Sequence, residues 1–138
     1  MPLQRIKEIP VEEYSTPSPI SVKPDTMVGE ILDIMRTEGI RHVPVIDGNQ
    51  PVGIISDGDL KLAATFKEAG RLRAGDIMTG EVYIVDPNVS LDEVVFKMSE
   101  KKLGSAIVLD PENDYMGIFT VTDALNALIE VLRGFDNN

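Results

Sequence analysis

A chain of 138 residues with 43% hydrophobic side chains has room for one domain of ordinary size, or for two small halves sharing a core. Its net charge of −10 repels nucleic acid and anionic lipid, so neither is an expected partner, and a phosphate ligand has to be held by local groups. Cysteine is absent, which excludes disulfides, thiolate nucleophiles and cysteine metal sites, and no apolar run suits a signal peptide or a membrane span; a soluble, cytoplasmic protein is expected.

In chain order, residues 1–14 read as an N-terminal arm that mixes charge with isolated apolar residues. Val28, Ile31, Leu32 and Met35 recur with i, i+3, i+4, i+7 spacing and predict a helix, capped by Asp25 or Thr26 and ended by Gly39. "RHVPVID" and "PVGIIS" then predict a hairpin about Asp47, Gly48 and Asn49, followed by a helix from about Asp59 to Lys67. "EAGRLRAGDIMTG" carries glycine and charge without periodicity, as a connector does. Leu91, Val94, Val95 and Met98 predict a second amphipathic helix, with Ser90 and Glu93 as a capping box. "SAIVLD" and "YMGIFT" predict another hairpin, with a loop about Pro111 and Asn113, and a last helix runs from about Asp123 to Leu132.

The two halves are copies. Gly53, Ile54, Ser56 and Asp59 in "GIISDGDL" meet Gly117, Ile118, Thr120 and Asp123 in "GIFTVTDAL", each 64 residues later. Upstream, Pro24, Glu30, Met35 and Asp47 meet Pro87, Glu93, Met98 and Asp110 at 63. One extra residue in the second hairpin loop accounts for the change. The expected fold class is therefore α/β (α+β): two β-α-β-β-α repeats, packed through the apolar faces of their sheets with pseudo-two-fold symmetry. The expected division is an arm (1–14), a first repeat (15–69), a linker (70–79), a second repeat (80–133) and a tail (134–138).

"DIMTGEVYIVDP" leading into a strand, "GIRHVPVID", and the Gly-apolar-x-[Ser/Thr]-x-x-Asp pattern of "GIISDGD" and "GIFTVTD" resemble paired cystathionine-β-synthase (CBS) domains, which together form a Bateman module. The resemblance covers about residues 15–133. It implies a sensor that binds an adenine nucleotide or adenosyl ligand (AMP, ADP, ATP, S-adenosylmethionine or NAD) in the cleft between its halves, pairs as a homodimer and transmits occupancy to a regulated partner protein. By the same resemblance, Ile20, Val43 and Pro44 lie on the base side of one site, and Thr79, Val82 and Ala106 on that of the other.

Chemistry supplies a reason for the pattern beside the name. Asp59 and Asp123, each in the first turn of a helix, can accept two charge-assisted hydrogen bonds from vicinal ribose hydroxyls. Ser56 and Thr120, at the strand ends, can donate to a phosphate. The same residues suit helix capping, and the pattern leaves both roles open. Arg41 can grip phosphate bidentately and His42 can add charge below neutral pH; Gly104 and Ser105 replace them in the second copy, so unequal sites are expected. Asp57, replaced by Val121, would repel phosphate. The alternation of Asp110, Glu112 and Asp114 lacks the glycine and distal glutamate of a calcium loop and reads as an ordinary hairpin loop.

One histidine and no cysteine, with no nucleophile elbow or phosphate-binding glycine loop, predict that the chain is not an enzyme and needs no catalytic cofactor or metal. The alternative reading is a structural or dimerisation module with degenerate nucleotide sites.

Overall fold

The computed structural model describes residues 8–134, and these form two compact units. The N-terminal unit is Pro19–Val82; the C-terminal unit joins the residues before Pro19 to those from Tyr83 onward. The fold is mixed α/β.

In the N-terminal unit, α1 (Val28–Glu38) buries Val28, Ile31 and Met35. Gly39 ends it in the left-handed region at φ 66°, returning its N–H to the Met35 carbonyl. Strands β2 (His42–Asp47) and β3 (Gln50–Ser56) form an antiparallel hairpin with a bulge between Val45 and Ile46. Gly48, at φ 65°, makes the tight turn possible. After the hairpin comes α2 (Asp57–Ala63), then a 3₁₀ turn (Ala69–Arg71) and the one-turn helix α3 (Ala74–Ile77). Val43, Val45 and Ile55 pack with Ile31, Met35, Leu60 and Ala74 as this unit's core.

The C-terminal unit repeats the plan. Its sheet has the order β1-β6-β5-β4, with β1 Thr16–Pro17, β4 Ile84–Val85, β5 Ser105–Asp110 and β6 Tyr115–Thr120. The two helices are α4 (Leu91–Lys101) and α5 (Val121–Arg133). The core gathers Val85, Leu91, Val94, Met98, Ala106, Val108 and Phe119. A fully buried aromatic such as Phe119 contributes about 1.5–3 kcal/mol by removal from water alone.

Several boundaries differ from expectation. Residues 8–14 are not a free arm: Val11, in a 3₁₀ turn (Val11–Tyr14), is 0% exposed and lies in the core of the C-terminal unit. Tyr14 donates its hydroxyl hydrogen bond to Glu130 on α5. Residues 70–79 are not a loose linker either. Ala74 is buried, Arg73 donates to the Asp25 carbonyl at 2.7 Å, and Thr79 bridges Ile54 on β3. The arm's first seven residues, and the tail after Gly134, lie outside the described residues.

Helix starts differ as well. The N-cap of α1 is Met27, not Asp25 or Thr26, and Ser90 caps α4 in backbone position only, without a side-chain hydrogen bond. The reason lies in the segments before each repeat. Val28 N–H donates to the Leu72 carbonyl at 3.0 Å and Leu91 N–H to the Ile9 carbonyl at 2.7 Å. Each neighbouring segment thus satisfies a terminal donor that a side chain would otherwise have to serve. The later helices begin at Asp57 and Val121, two residues before Asp59 and Asp123.

Candidate functional site

Both strand-to-helix turns have the same construction. Ser56 N–H donates to Asp59 Oδ2 at 2.9 Å, and Asp59 N–H donates to Ser56 Oγ at 3.1 Å. Thr120 N–H donates to Asp123 Oδ2 at 2.9 Å, and Asp123 N–H reaches Thr120 Oγ1 at 3.5 Å. These are reciprocal capping boxes with aspartate in place of the usual glutamate. In each, Oδ2 is held by the backbone, while Oδ1 makes no hydrogen bond among the described residues. All four side chains are half-buried. The cap therefore fixes a carboxylate at the turn and leaves one oxygen for a further donor.

Around the first turn the hairpin collects the remaining polar candidates. His42 pairs with Ser56 across β2 and β3, and Asp57 N–H donates to the Arg41 carbonyl at 2.9 Å. His42 is half-buried, and desolvation pushes its pKa below the ordinary histidine value against the opposing pull of Asp57 and Asp59. The imidazole is thus neutral at pH 7. Arg41 is exposed, and Asp57 forms an i, i+4 pair with Lys61 at 3.9 Å. In the C-terminal unit Ser105 pairs with Thr120, and Val121 N–H donates to the Gly104 carbonyl at 3.3 Å. The backbone is equivalent and the charges are missing.

The base-side candidates fall out unevenly. Val43 and Pro44 are fully buried, and the Pro44 carbonyl accepts from Val22 N–H at 3.0 Å. Ala106, at 1% exposure, is likewise a core residue of its unit. Their side chains are committed to packing, whereas Ile20 is 39% exposed. Thr79 and Val82 belong to the N-terminal unit and Ala106 to the C-terminal one; Thr79 exchanges backbone hydrogen bonds with Ile54. Applying the 63-residue offset to Ile20 would have singled out Tyr83 rather than Val82. Tyr83 is half-buried, its carbonyl accepts from Ile107 N–H at 2.8 Å, and Lys97 Nζ lies 4.9 Å from its ring centroid.

At the far end of β2 from this turn, Ser21–Asp25 and Ile46–Gly48 line an open depression. Among the described residues, no group of three or more His, Asp or Glu side chains is placed to hold a metal ion, and no helix is long and apolar enough to cross a membrane. In the second hairpin loop, Asp110 Oδ2 accepts from Asn113 Nδ2 at 2.6 Å, and Asp114 turns the chain at φ 51°.

Comparison with known proteins places the fold in a family. Inosine-5′-monophosphate dehydrogenase of Methanocaldococcus jannaschii is 33% identical over 107 residues, covering 77% of this chain and 21% of the dehydrogenase. The chain thus spans about a fifth of that relative's length. Among solved structures, CBSX2 in complex with AMP superposes with a TM-score of 0.74 at 27% identity, covering 90% of this chain and 98% of that one. The CBS domain pair of protein MJ0100, in complex with 5′-methylthioadenosine and S-adenosyl-L-methionine, gives 0.76 at 25% identity, covering 87% and 99%. The sequence profile of the CBS domain matches residues 11–65 and again 74–130, and the chain belongs to the CBS domain family.

Proposed function

We propose that this chain is a regulatory module that binds an adenine nucleotide or adenosyl ligand and passes occupancy to a partner protein. The observation that carries this reading is the matched pair of turns, Ser56 with Asp59 and Thr120 with Asp123, each holding beside a strand end one carboxylate oxygen that makes no hydrogen bond among the described residues. Two similar solved proteins hold AMP, or 5′-methylthioadenosine with S-adenosyl-L-methionine. A ribose diol offers the two donors such a carboxylate accepts. The functional groups gathered at the turns suit gripping a ligand rather than transforming it, so the module acts without catalysis.

A homodimer is part of the reading. Val121, Leu125, Leu128 and Leu132 lie along one stripe of α5, and all are exposed, Leu132 by 75%. Such a stripe suits burial against a second copy.

The competing reading, a scaffold with degenerate sites, draws on the same caps, which explain both aspartates without any ligand. Thermal denaturation in the presence of AMP, ADP, ATP, S-adenosylmethionine and NAD separates the two. A ligand that binds only the folded state raises Tm with concentration. The sensor reading predicts such a rise for at least one compound, lost in Asp59→Ala or Asp123→Ala; the scaffold reading predicts none.

A further inference from the structure

The two turns share their acceptors and differ in their surroundings. Backbone geometry fixes three neighbouring positions at each: the strand residue paired with the cap hydroxyl, the first helical residue, and the residue whose carbonyl receives that helical N–H. In the N-terminal unit these are His42, Asp57 and Arg41; in the C-terminal unit they are Ser105, Val121 and Gly104. His42 pairs with Ser56, Asp57 N–H donates to the Arg41 carbonyl and Ser56 N–H to Asp59, so the backbone brings Arg41, His42, Asp57 and Asp59 to one turn. Lys61, 3.9 Å from Asp57, tempers the repulsion that Asp57 would exert on an anion. At the second turn, Asp123 is the single charged side chain among the corresponding positions. The cations nearest in sequence to Gly104, Lys101 and Lys102, are exposed at the end of α4.

We propose that charge divides the two sites by ligand class. The Ser56–Asp59 site takes a 5′-phosphorylated adenosine, and the Thr120–Asp123 site takes an adenosine derivative whose 5′ substituent is uncharged or cationic, a thioether or a sulfonium. A phosphate at the first turn meets the planar guanidinium of Arg41, the side chain best shaped to grip it with two parallel hydrogen bonds. At the second turn it would face the Asp123 carboxylate without a cation in the matching place, and like charges at short range repel. A 5′ thioether asks only for apolar contact, which Val121 offers, and for room, which Gly104 leaves. A sulfonium is in addition attracted by Asp123. This division rests on the adenosyl-binding reading above.

Calorimetric titration of the full chain with AMP and, separately, with 5′-methylthioadenosine tests it, using Arg41→Gln, Asp59→Asn and Asp123→Asn. Asparagine keeps a cap acceptor oxygen and removes the charge that grips the ribose, and circular dichroism checks that each variant is folded. AMP is expected to weaken about tenfold or more in Arg41→Gln and Asp59→Asn and to bind Asp123→Asn as it binds the parent. 5′-Methylthioadenosine is expected to weaken by a similar factor in Asp123→Asn alone. If either ligand responds to the other's variants, or to none of the three, the division is overturned while adenosyl binding stands. If the folded parent gives no saturable heat with either ligand, the division fails, and if ADP, ATP, S-adenosylmethionine and NAD are silent as well, the reading beneath it fails too.

Discussion

Ile54 and Thr79 exchange two backbone hydrogen bonds, Ile54 N–H to the Thr79 carbonyl at 3.0 Å and Thr79 N–H to the Ile54 carbonyl at 2.9 Å. Thr16 and Ile118, at positions equivalent by the repeat offsets, pair in the same antiparallel sense. The segment that precedes the second repeat in sequence therefore completes the first unit, and the segment that precedes the first repeat completes the second unit. Both turns that hold Asp59 and Asp123 end strands whose outer edge is closed in this way.

Residues 8–18 should then matter for stability, although they precede the N-terminal unit. Val11→Ala removes part of a fully buried side chain and should cost about 2 kcal/mol. Glu12→Ala, at an exposed neighbouring position, should stay within about 0.5 kcal/mol. Urea denaturation midpoints read both; equal effects would mean that this segment is not part of the core.

Gly53 and Gly117 are predicted to resist even a methyl group. A Cβ at Gly53 would come within 2.7 Å of Met78 Cγ, and one at Gly117 within 3.1 Å of the Thr16 carbonyl oxygen. Gly53→Ala and Gly117→Ala should each destabilise by about 1–3 kcal/mol. Met78→Ala should partly relieve Gly53→Ala, giving a favourable coupling in a double-mutant cycle. At Gly117 the Tyr115 hydroxyl lies nearer still, 2.7 Å from the added Cβ, so Tyr115→Phe should relieve part of Gly117→Ala, while the Thr16 carbonyl leaves a remainder. Strictly additive effects at 53 and 78 would contradict the packing described.

The caps can be weighed separately from any ligand. Ser56→Ala and Thr120→Ala should each cost about 1 kcal/mol, measured without nucleotide, while Ser90→Ala should cost far less because that hydroxyl makes no cap hydrogen bond. A Ser90→Ala loss as large as that of Ser56→Ala would show that the three helix starts do not differ as the hydrogen bonds indicate.

His42 gives a pH signature. Burial holds its folded pKa below the ordinary value of 6.5, so as pH falls below about 6.5 the unfolded chain takes up a proton first. Stability should be fully present above that pH and decline as pH falls, until the folded histidine also protonates. His42→Gln should flatten this part of the profile, as followed by urea midpoints between about pH 5 and 7. An unchanged profile in that variant would assign the decline to other groups.

Much of this was legible in the sequence. The 63- and 64-residue offsets located both cap turns, the hairpins and the amphipathic helices, because side-chain periodicity records which face is buried. Exchange of the lead segments was not legible. Its strands are two residues or single bridges long, and backbone hydrogen bonds leave no side-chain pattern over so short a length. Val11 and Ala74, equivalent by offset, are too few to form one. Ser90 and Glu93 misled for a related reason. Their spacing suits a capping box, yet the Leu91 N–H is served from Ile9 instead.

Calorimetric titration of AMP into the ligand-stripped chain, repeated with the Asp59→Ala/Asp123→Ala double variant, tests the central claim most directly. Saturable binding near the micromolar range, about −8 kcal/mol, is expected in the parent, and its loss in a double variant that stays folded though less stable. Undiminished binding in that variant, or a folded parent that binds neither AMP nor any other adenosyl compound, would contradict it.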